Sequence, residues 1–314
     1  MKAVNVTAYG GTESLEISQN ASTPSLKEGQ VLVKVYASSL NPFDVKIRQG
    51  IYKDSMPTEF PYIPGVDFSG VVKEVAEDVS EYKTGDEIFG SANIFSGGSG
   101  AFAEVAIAKV TNTANKPQKV DFIQAASLPL VGSSAIQALE EHIKLESGQK
   151  ILIHGGAGGI GSVAIQLAKH IGAYVATTVS TDDIEFVKSL AADQVIDYKT
   201  EKFENILKDF DAVYDTVGGE TTDRSFKVLK KGGVIVSMVG APKEELAKEY
   251  EVAAIGQGTH TNREHLARLS ELVDQGVIKA QVNKVFSIDE VKEAFEYLEN
   301  GSPKGKVVLK VTGT

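Results

Sequence analysis

The sequence predicts an α/β protein in which a β-rich segment precedes a doubly wound parallel sheet. Three observations carry this. Strand and helix patterns alternate from about residue 150; a turn crowded with glycine joins the first of those strands to its helix; and residues 1 to about 120 read as short strands punctuated by Pro and Gly.

In chain order, strands are expected at Gln30–Ser39, 65–75, 86–89 and 101–108. The Gly- and Ser-rich segment 91–100, SANIFSGGSG, is expected to be a mobile loop, either a lid or an ordinary surface connection. The character changes at Asp121, where a helical stretch through Gln137 and Leu139 leads into strand Lys150–His154. Strands follow at Tyr174–Val179, Gln194–Asp197, 212–215 and 234–239, with helices at 162–169, 184–190 and 221–229 between them. Short βαβ connections of this kind make a parallel sheet. Helices at 262–275 and 288–300 and a strand at 306–311 close the chain. That strand does not extend the alternation and is expected to return to the first domain. The predicted organisation is a first domain over 1–124, the parallel-sheet domain over 125–265 and a C-terminal return over 266–314.

Composition removes several classes of function. A length of 314 residues holds two domains with large cores, and a net charge of −10 argues against nucleic acid or an anionic membrane as partner. The chain has no cysteine, so it has no disulfide, thiolate nucleophile or cysteine-ligated zinc. The five histidines, His142, His154, His170, His260 and His265, form no i,i+4 pair, and no catalytic metal is expected. The opening MKAVNVTAYGG is too polar for a secretory signal, and no apolar run is long enough to span a bilayer. A cytoplasmic protein is expected.

The most informative segment is 155–161, GGAGGIG, lodged between the strand Lys150–His154 and a helical pattern. Gly156, Gly158 and Gly161 have the G-x-G-x-x-G spacing of a dinucleotide-binding turn, with Ala157, Gly159 and Ile160 filling it. The first glycine permits the tight turn, the second lets backbone approach a pyrophosphate, and the third lets helix pack on strand. His154 abuts this turn, either to contact phosphate or to fill space.

Cofactor choice is expected at the end of the second strand, where NAD-preferring turns place Asp or Glu roughly 20 residues beyond the glycines. Here the strand ends Thr178-Val179-Ser180-Thr181, with no acid until Asp182. A hydroxyl donates to a 2′-phosphate that a carboxylate would repel, which favours NADPH; the nearby Asp182 and Asp183 leave NADH open. Asp182 and Glu185 have capping-box spacing, which is a second reason for that acid. Tyr198 and Lys199 are candidate phosphate partners or ordinary loop residues. The fourth and fifth strands end in DTVGG and SMVGAP, so Val217, Val239 and Gly240 are expected beside the nicotinamide. A separate polar cluster, Asn41, Asp44, Arg48 and Tyr52, follows the strand Gln30–Ser39, and Asp44 is placed to cap a short helix there.

With these residues read, the chain resembles the zinc-independent quinone oxidoreductase (zeta-crystallin-like) branch of the medium-chain dehydrogenase/reductase superfamily. The signature is met at Gly148, Gln149, Leu152, Gly156 to Gly159, Gly161, Gln166 and Lys169. Supporting blocks are NPFDVKIRQGIY, PGVDFSGVV, GAFAEV, LPLVGSSAIQAL, VIDY and the terminal GKVVLKV, so the match runs nearly end to end. The resemblance implies a GroES-like catalytic domain, completed by the C-terminal return, and a Rossmann domain. It further implies NADPH-dependent reduction of quinones or enones by a homodimer. Zinc alcohol dehydrogenases of the superfamily have cysteine at the position of Asn41 and a His-Glu pair at Val66 and Asp67, which accounts for the missing metal. By the same resemblance Asn41 and Tyr52 line the substrate side of the cleft, Ser134 stands beside the nicotinamide, and Ser180 and Tyr198 contact the 2′-phosphate. Some relatives have a lysine just after Ser180 where this chain has Asp182 and Asp183.

The expected chemistry is hydride transfer to a quinone, or to the β-carbon of an enone whose oxygen gathers negative charge. A donor placed at that oxygen is worth ~3 kcal/mol; the Asn41 amide and Tyr52 hydroxyl are the expected donors. Two alternatives stay open, a zinc-free alcohol dehydrogenase and a non-catalytic NADPH-binding protein of sensor or crystallin-like kind.

Overall fold

A computed structural model describes residues 1–312, which form two compact units. One unit comprises Met1–Leu130, Thr261–Gln275 and, of the described residues, 280–312; the other comprises Val131–His260 and Gly276–Lys279.

In the first unit, β1 (Ala3–Val6) and β2 (Leu15–Ser18) form an antiparallel pair. A larger sheet is built on β3 (Gln30–Ser39), which pairs antiparallel with β4 (Asp67–Val75) and β6 (Val105–Lys109). β4 continues to β5 (Glu87–Ser91), and β5 to β7 (Thr113–Asn115). Val31, Val33 and Val35 on one face of β3 are fully buried, and Leu32 on the other face is buried too, so this central strand is covered on both sides over much of its length.

The second unit is a six-stranded parallel sheet. Its strands are β8 (Lys150–His154), β9 (Tyr174–Val179), β10 (Gln194–Asp197), β11 (Phe210–Asp215), β12 (Leu229–Ser237) and β13 (Ala253–Gly256). Their spatial order is β10-β9-β8-β11-β12-β13, so the winding reverses between β8 and β11. The chain then leaves this unit, and β14 (Val282–Ser287) and β15 (Lys306–Lys310) complete the first. β15 lies between β14 and β3, antiparallel to β3 with Val308 opposite Ser39.

Three local expectations change. The helix expected over 221–229 stops at Ser225; a 3-10 turn, Phe226–Val228, buries Phe226 and Val228, and Leu229 already opens β12. The edge strand β13 gave no sequence signal, because AAIG is short, small and at most half-buried. The segment 91–100 is pinned where a mobile loop was expected. Gly100 N–H donates to Ala92 O at 2.8 Å, Ser99 N–H to Ile107 O at 3.1 Å, and a Cβ on Gly100 would meet Ile63 O at 1.9 Å. Its glycines answer close packing there. Among the described residues no helix is long and apolar enough to cross a membrane.

Candidate functional site

The helix Gly159–Ile171 starts directly behind the glycine turn, with Gly158 at its N-cap and no side chain capping it. Its first backbone N–H groups are therefore left for an anion. A Cβ on Gly156 would lie 2.1 Å from Thr177 Oγ1, and one on Gly161 would lie 2.2 Å from Gly155 O. Both positions exclude a side chain through packing against β9 and the turn. A Cβ on Gly158 meets nothing nearer than Gly155 O at 3.4 Å, so that glycine presents bare backbone. This arrangement, at the switch point of the sheet, fits a dinucleotide pyrophosphate. Gly156, Ala157, Gly158, Gly159, Ile160 and Gly161 together form the turn and the first helical residues.

The other signature residues hold this helix in place. Gln166 Nε2 donates to Lys279 O at 3.2 Å and its Oε1 accepts the Lys279 N–H at 2.9 Å. Lys169 Nζ donates to Asp193 Oδ2 at 2.7 Å and to Ala173 O at 3.0 Å. His154 is a core residue: Nδ1 meets Thr178 Oγ1 at 2.8 Å, Nε2 meets Ser225 Oγ at 2.9 Å, and the ring packs edge-on to Phe203. Burial pulls its imidazole down to about 4, so it stays neutral and is no phosphate partner.

At the ends of β11 and β12 the loops are organised by Asp215. Its Oδ1 accepts the Val217 N–H at 2.8 Å and the Gly218 N–H at 3.1 Å, while Oδ2 accepts the Thr222 hydroxyl at 2.5 Å. Val217 and Val239 stand 52% and 45% exposed, and Gly240 follows with open space at its Cβ. Two bare valines at the carboxyl ends of adjacent strands give an aromatic ring an apolar surface. Ser134 is fully buried, its hydroxyl 2.6 Å from Thr259 Oγ1; its carbonyl accepts from Tyr214 and from Gln257. The Ser134 hydroxyl thus meets Thr259 of the loop after β13, a strand the sequence did not reveal.

At the end of β9, Ser180 Oγ donates to Asp183 Oδ2 at 2.7 Å. In this structure the single hydroxyl proton goes to that carboxylate. Residues Thr181–Asp183 form a 3-10 turn, and helix Ile184–Ser189 follows with Asp183, not Asp182, at its N-cap. Tyr198 is 60% exposed, its N–H on Val179 O at 3.1 Å.

In the first unit the polar cluster is buried and closed. Asn41, Asp44 and Arg48 lie on or next to the helix Pro42–Arg48, whose third residue, Asp44, accepts the Asn41 N–H at 2.9 Å. The Asn41 amide donates to Asp67 Oδ2 at 2.9 Å, and its Oδ1 accepts from Lys306 Nζ. Asp67 Oδ2 also accepts the Ser39 hydroxyl at 3.1 Å and lies 3.5 Å from Lys306 Nζ; its Oδ1 accepts the Leu130 N–H at 3.0 Å. Burial pushes the Asp67 carboxyl up and the Lys306 ammonium down, while each charge pulls the other back towards its ionised form. Asp44 is pushed up to about 7, chiefly by burial and further by Asp67. Asn41 is 1% exposed, and both ends of its amide are engaged, by Asp67 and by Lys306. Tyr52 is half-buried, its ring 6.2 Å from that of Phe43. Beside Asp44 is a cavity of about 20 Å³ bounded by Phe43, Tyr62 and Phe95, of water size. Lys306 was not singled out from sequence, and Asp67 entered only as the counterpart of a zinc-ligand position; the available signal was a charge at the start of each of two mostly apolar runs, DFSGVV and KVVL. Arg48 anchors the same helix, donating to Gly10 O at 2.8 Å and pairing with Glu299.

The fold and the turn define a two-unit dinucleotide-binding protein of dehydrogenase type. Residues 190–309 match the family model for zinc-binding dehydrogenases, and residues 27–118 match that for the alcohol dehydrogenase GroES-like domain. The chain is 39% identical over 317 residues to the 2-methylene-furan-3-one reductase of Solanum lycopersicum, a match spanning 98% of this chain and 79% of that protein. Among solved structures, the quinone oxidoreductase from Coxiella burnetii superposes with a TM-score of 0.90 at 36% identity, over 99% of both chains. The Escherichia coli quinone oxidoreductase complexed with NADPH gives a TM-score of 0.87 at 26% identity, over 99% of this chain and 100% of that one. The chain belongs to the medium-chain dehydrogenase/reductase superfamily, in its quinone oxidoreductase branch.

Proposed function

We propose that this protein is a zinc-free reductase that delivers hydride from NADPH or NADH to a quinone or an α,β-unsaturated carbonyl. The carrying observation is the uncapped start of helix Gly159–Ile171 behind Gly158, together with the exposed Val217 and Val239 at the neighbouring strand ends. Bare N–H groups suit a pyrophosphate, and the valines suit a flat nicotinamide. The acceptor class is supported by the relatives, which are named for an enone and for quinones, and NADPH by the relative complexed with it.

When bound, the cofactor supplies the hydride, so the protein has to position the acceptor and steady the charge developing on its oxygen. Tyr52 is the residue proposed to hydrogen-bond that oxygen, with solvent or Tyr52 itself protonating the α-carbon. Asn41 is proposed to act behind it, as part of the packed floor. The absence of zinc is supported by the cluster itself: where metal-using members place ligands, this chain has Asn41, Val66 and Asp67, and the positive charge there is the Lys306 ammonium. A cytoplasmic homodimer is proposed from the family resemblance.

The test is rapid mixing of NADPH-loaded and NADH-loaded protein with 9,10-phenanthrenequinone, a medium-chain 2-enal and a wider acceptor panel. Cofactor oxidation with at least one acceptor is expected, slowed in Tyr52→Phe by about tenfold or more. No oxidation above background with any acceptor sinks the reading.

A further inference from the structure

The two nicotinamide cofactors differ by a phosphate on one ribose 2′-oxygen, and in a doubly wound sheet that oxygen comes to the carboxyl end of the second strand. Here β9 ends at Val179, and the turn that follows is built around a carboxylate. Ser180 Oγ donates to Asp183 Oδ2 at 2.7 Å, and the Asp183 N–H donates back to Ser180 O at 2.9 Å. The next hydroxyl, on Thr181, donates to Asp197 Oδ2 at 2.5 Å, at the end of the adjacent β10. Asp197 Oδ1 accepts the Lys199 N–H at 2.9 Å. These bonds, with the Lys199 ammonium nearby, hold the Asp197 carboxyl below the usual range and therefore ionised.

The cations of segment 180–199 are Lys188 and Lys199. Lys188 pairs with Glu185 at 2.8 Å, and Lys199 gives its backbone N–H to Asp197 with its ammonium a weaker influence on that carboxylate. A 2′-phosphate, carrying close to two negative charges, would meet two carboxylates here and two hydroxyls whose protons point to those carboxylates, with the exposed Tyr198 the one neutral side chain left to donate. A ribose 2′-hydroxyl has a proton to give, and a carboxylate is its natural acceptor.

We infer that Asp183 is a specificity-determining residue through which NADH binds at least as tightly as NADPH, an inference that rests on the nicotinamide-dependent activity proposed above. Ser180 holds the Asp183 carboxylate in place, and the pairing makes the strand end an acceptor site. The inferred preference differs from the cofactor with which the Escherichia coli relative is complexed, NADPH, although the fold is shared.

The test is direct binding, which needs no acceptor substrate: NADH and NADPH are titrated into the full chain and followed by the fluorescence of the bound reduced nicotinamide. The unaltered protein is expected to give an NADPH dissociation constant equal to or above that for NADH. Asp183→Asn keeps an acceptor for Ser180 but removes the charge, and is expected to tighten NADPH by about tenfold while loosening NADH a few-fold. NADPH bound more tightly than NADH by the unaltered protein overturns the inference, as does an unchanged ratio in the variant. Binding of neither nucleotide overturns the nicotinamide reading itself, and this inference with it.

Discussion

Asp44 and His154 are both ionisable, both buried, and opposite in what burial does to folding. Asp44 rises from its ordinary 3.8 to about 7, so the folded protein keeps a proton that the unfolded chain releases. Its contribution to stability is complete below pH 3.8 and is lost as pH rises through 7. His154 falls from 6.5 to about 4, so the unfolded chain takes up a proton that the folded protein refuses. Its contribution is complete above pH 6.5 and is lost as pH falls towards 4. The two slopes oppose each other over the shared window, each reaching at most about 1.4 kcal/mol per pH unit. Removing the carboxyl with Asp44→Asn should leave urea midpoints that rise more steeply from pH 4 to 7 than in the unaltered protein. The His154 ring should show no NMR titration above about pH 5. A protonation midpoint near 6.5 would refute the buried, neutral assignment.

The glycine turn and its helix separate two reasons for a missing side chain. At Gly161 the backbone of Gly155 occupies the space a Cβ needs, so Gly161→Ala forces the helix away from its strand. A loss of about 1–3 kcal/mol in folding free energy is expected, as for other overpacked positions. At Gly158 a Cβ meets only ordinary contacts, so Gly158→Ala should unfold at nearly the same temperature as the unaltered protein. It should nevertheless weaken nucleotide binding by about tenfold, since the methyl stands where a pyrophosphate approaches. Calorimetry and nucleotide titration on the two variants check this; equal effects on folding would remove the distinction. The element was legible in sequence because strand, glycine spacing and helix are contiguous. What each glycine is against was not, since Thr177 belongs to the neighbouring strand.

Across the whole molecule the chain crosses from one unit to the other and returns, and the return carries a charge. Lys306 on β15 meets Asp67 on β4, 239 residues earlier, and both are almost fully buried. Lys306→Met alone leaves the Asp67 carboxylate without its cation and should cost about 3–5 kcal/mol. The double variant Asp67→Asn/Lys306→Met should be less destabilised than the sum of the two single changes, because it removes both charges together. Urea denaturation of the four proteins measures the coupling; strict additivity would show that the pair does not act as a unit. The same pair holds the Asn41 amide, so the N-terminal helix and the last strand are tied at one point.

Legibility followed chain distance. Strands Gln30–Ser39, Lys150–His154, Tyr174–Val179 and Gln194–Asp197 were read to the residue, because hydrophobic alternation and turn residues are local signals. The parallel sheet and the dinucleotide turn followed from the same local order. The sequence by itself determined the fold class, the family and the place of the glycine turn between strand and helix. Only the tertiary structure decided what the polar side chains do with their protons: Asn41 turned inward to Asp67 and Lys306, Ser180 to Asp183, and His154 into the core. The physical reason is that a donor's partner is set by which distant backbone and carboxylates reach it in the folded chain, and no pattern along the sequence encodes that proximity.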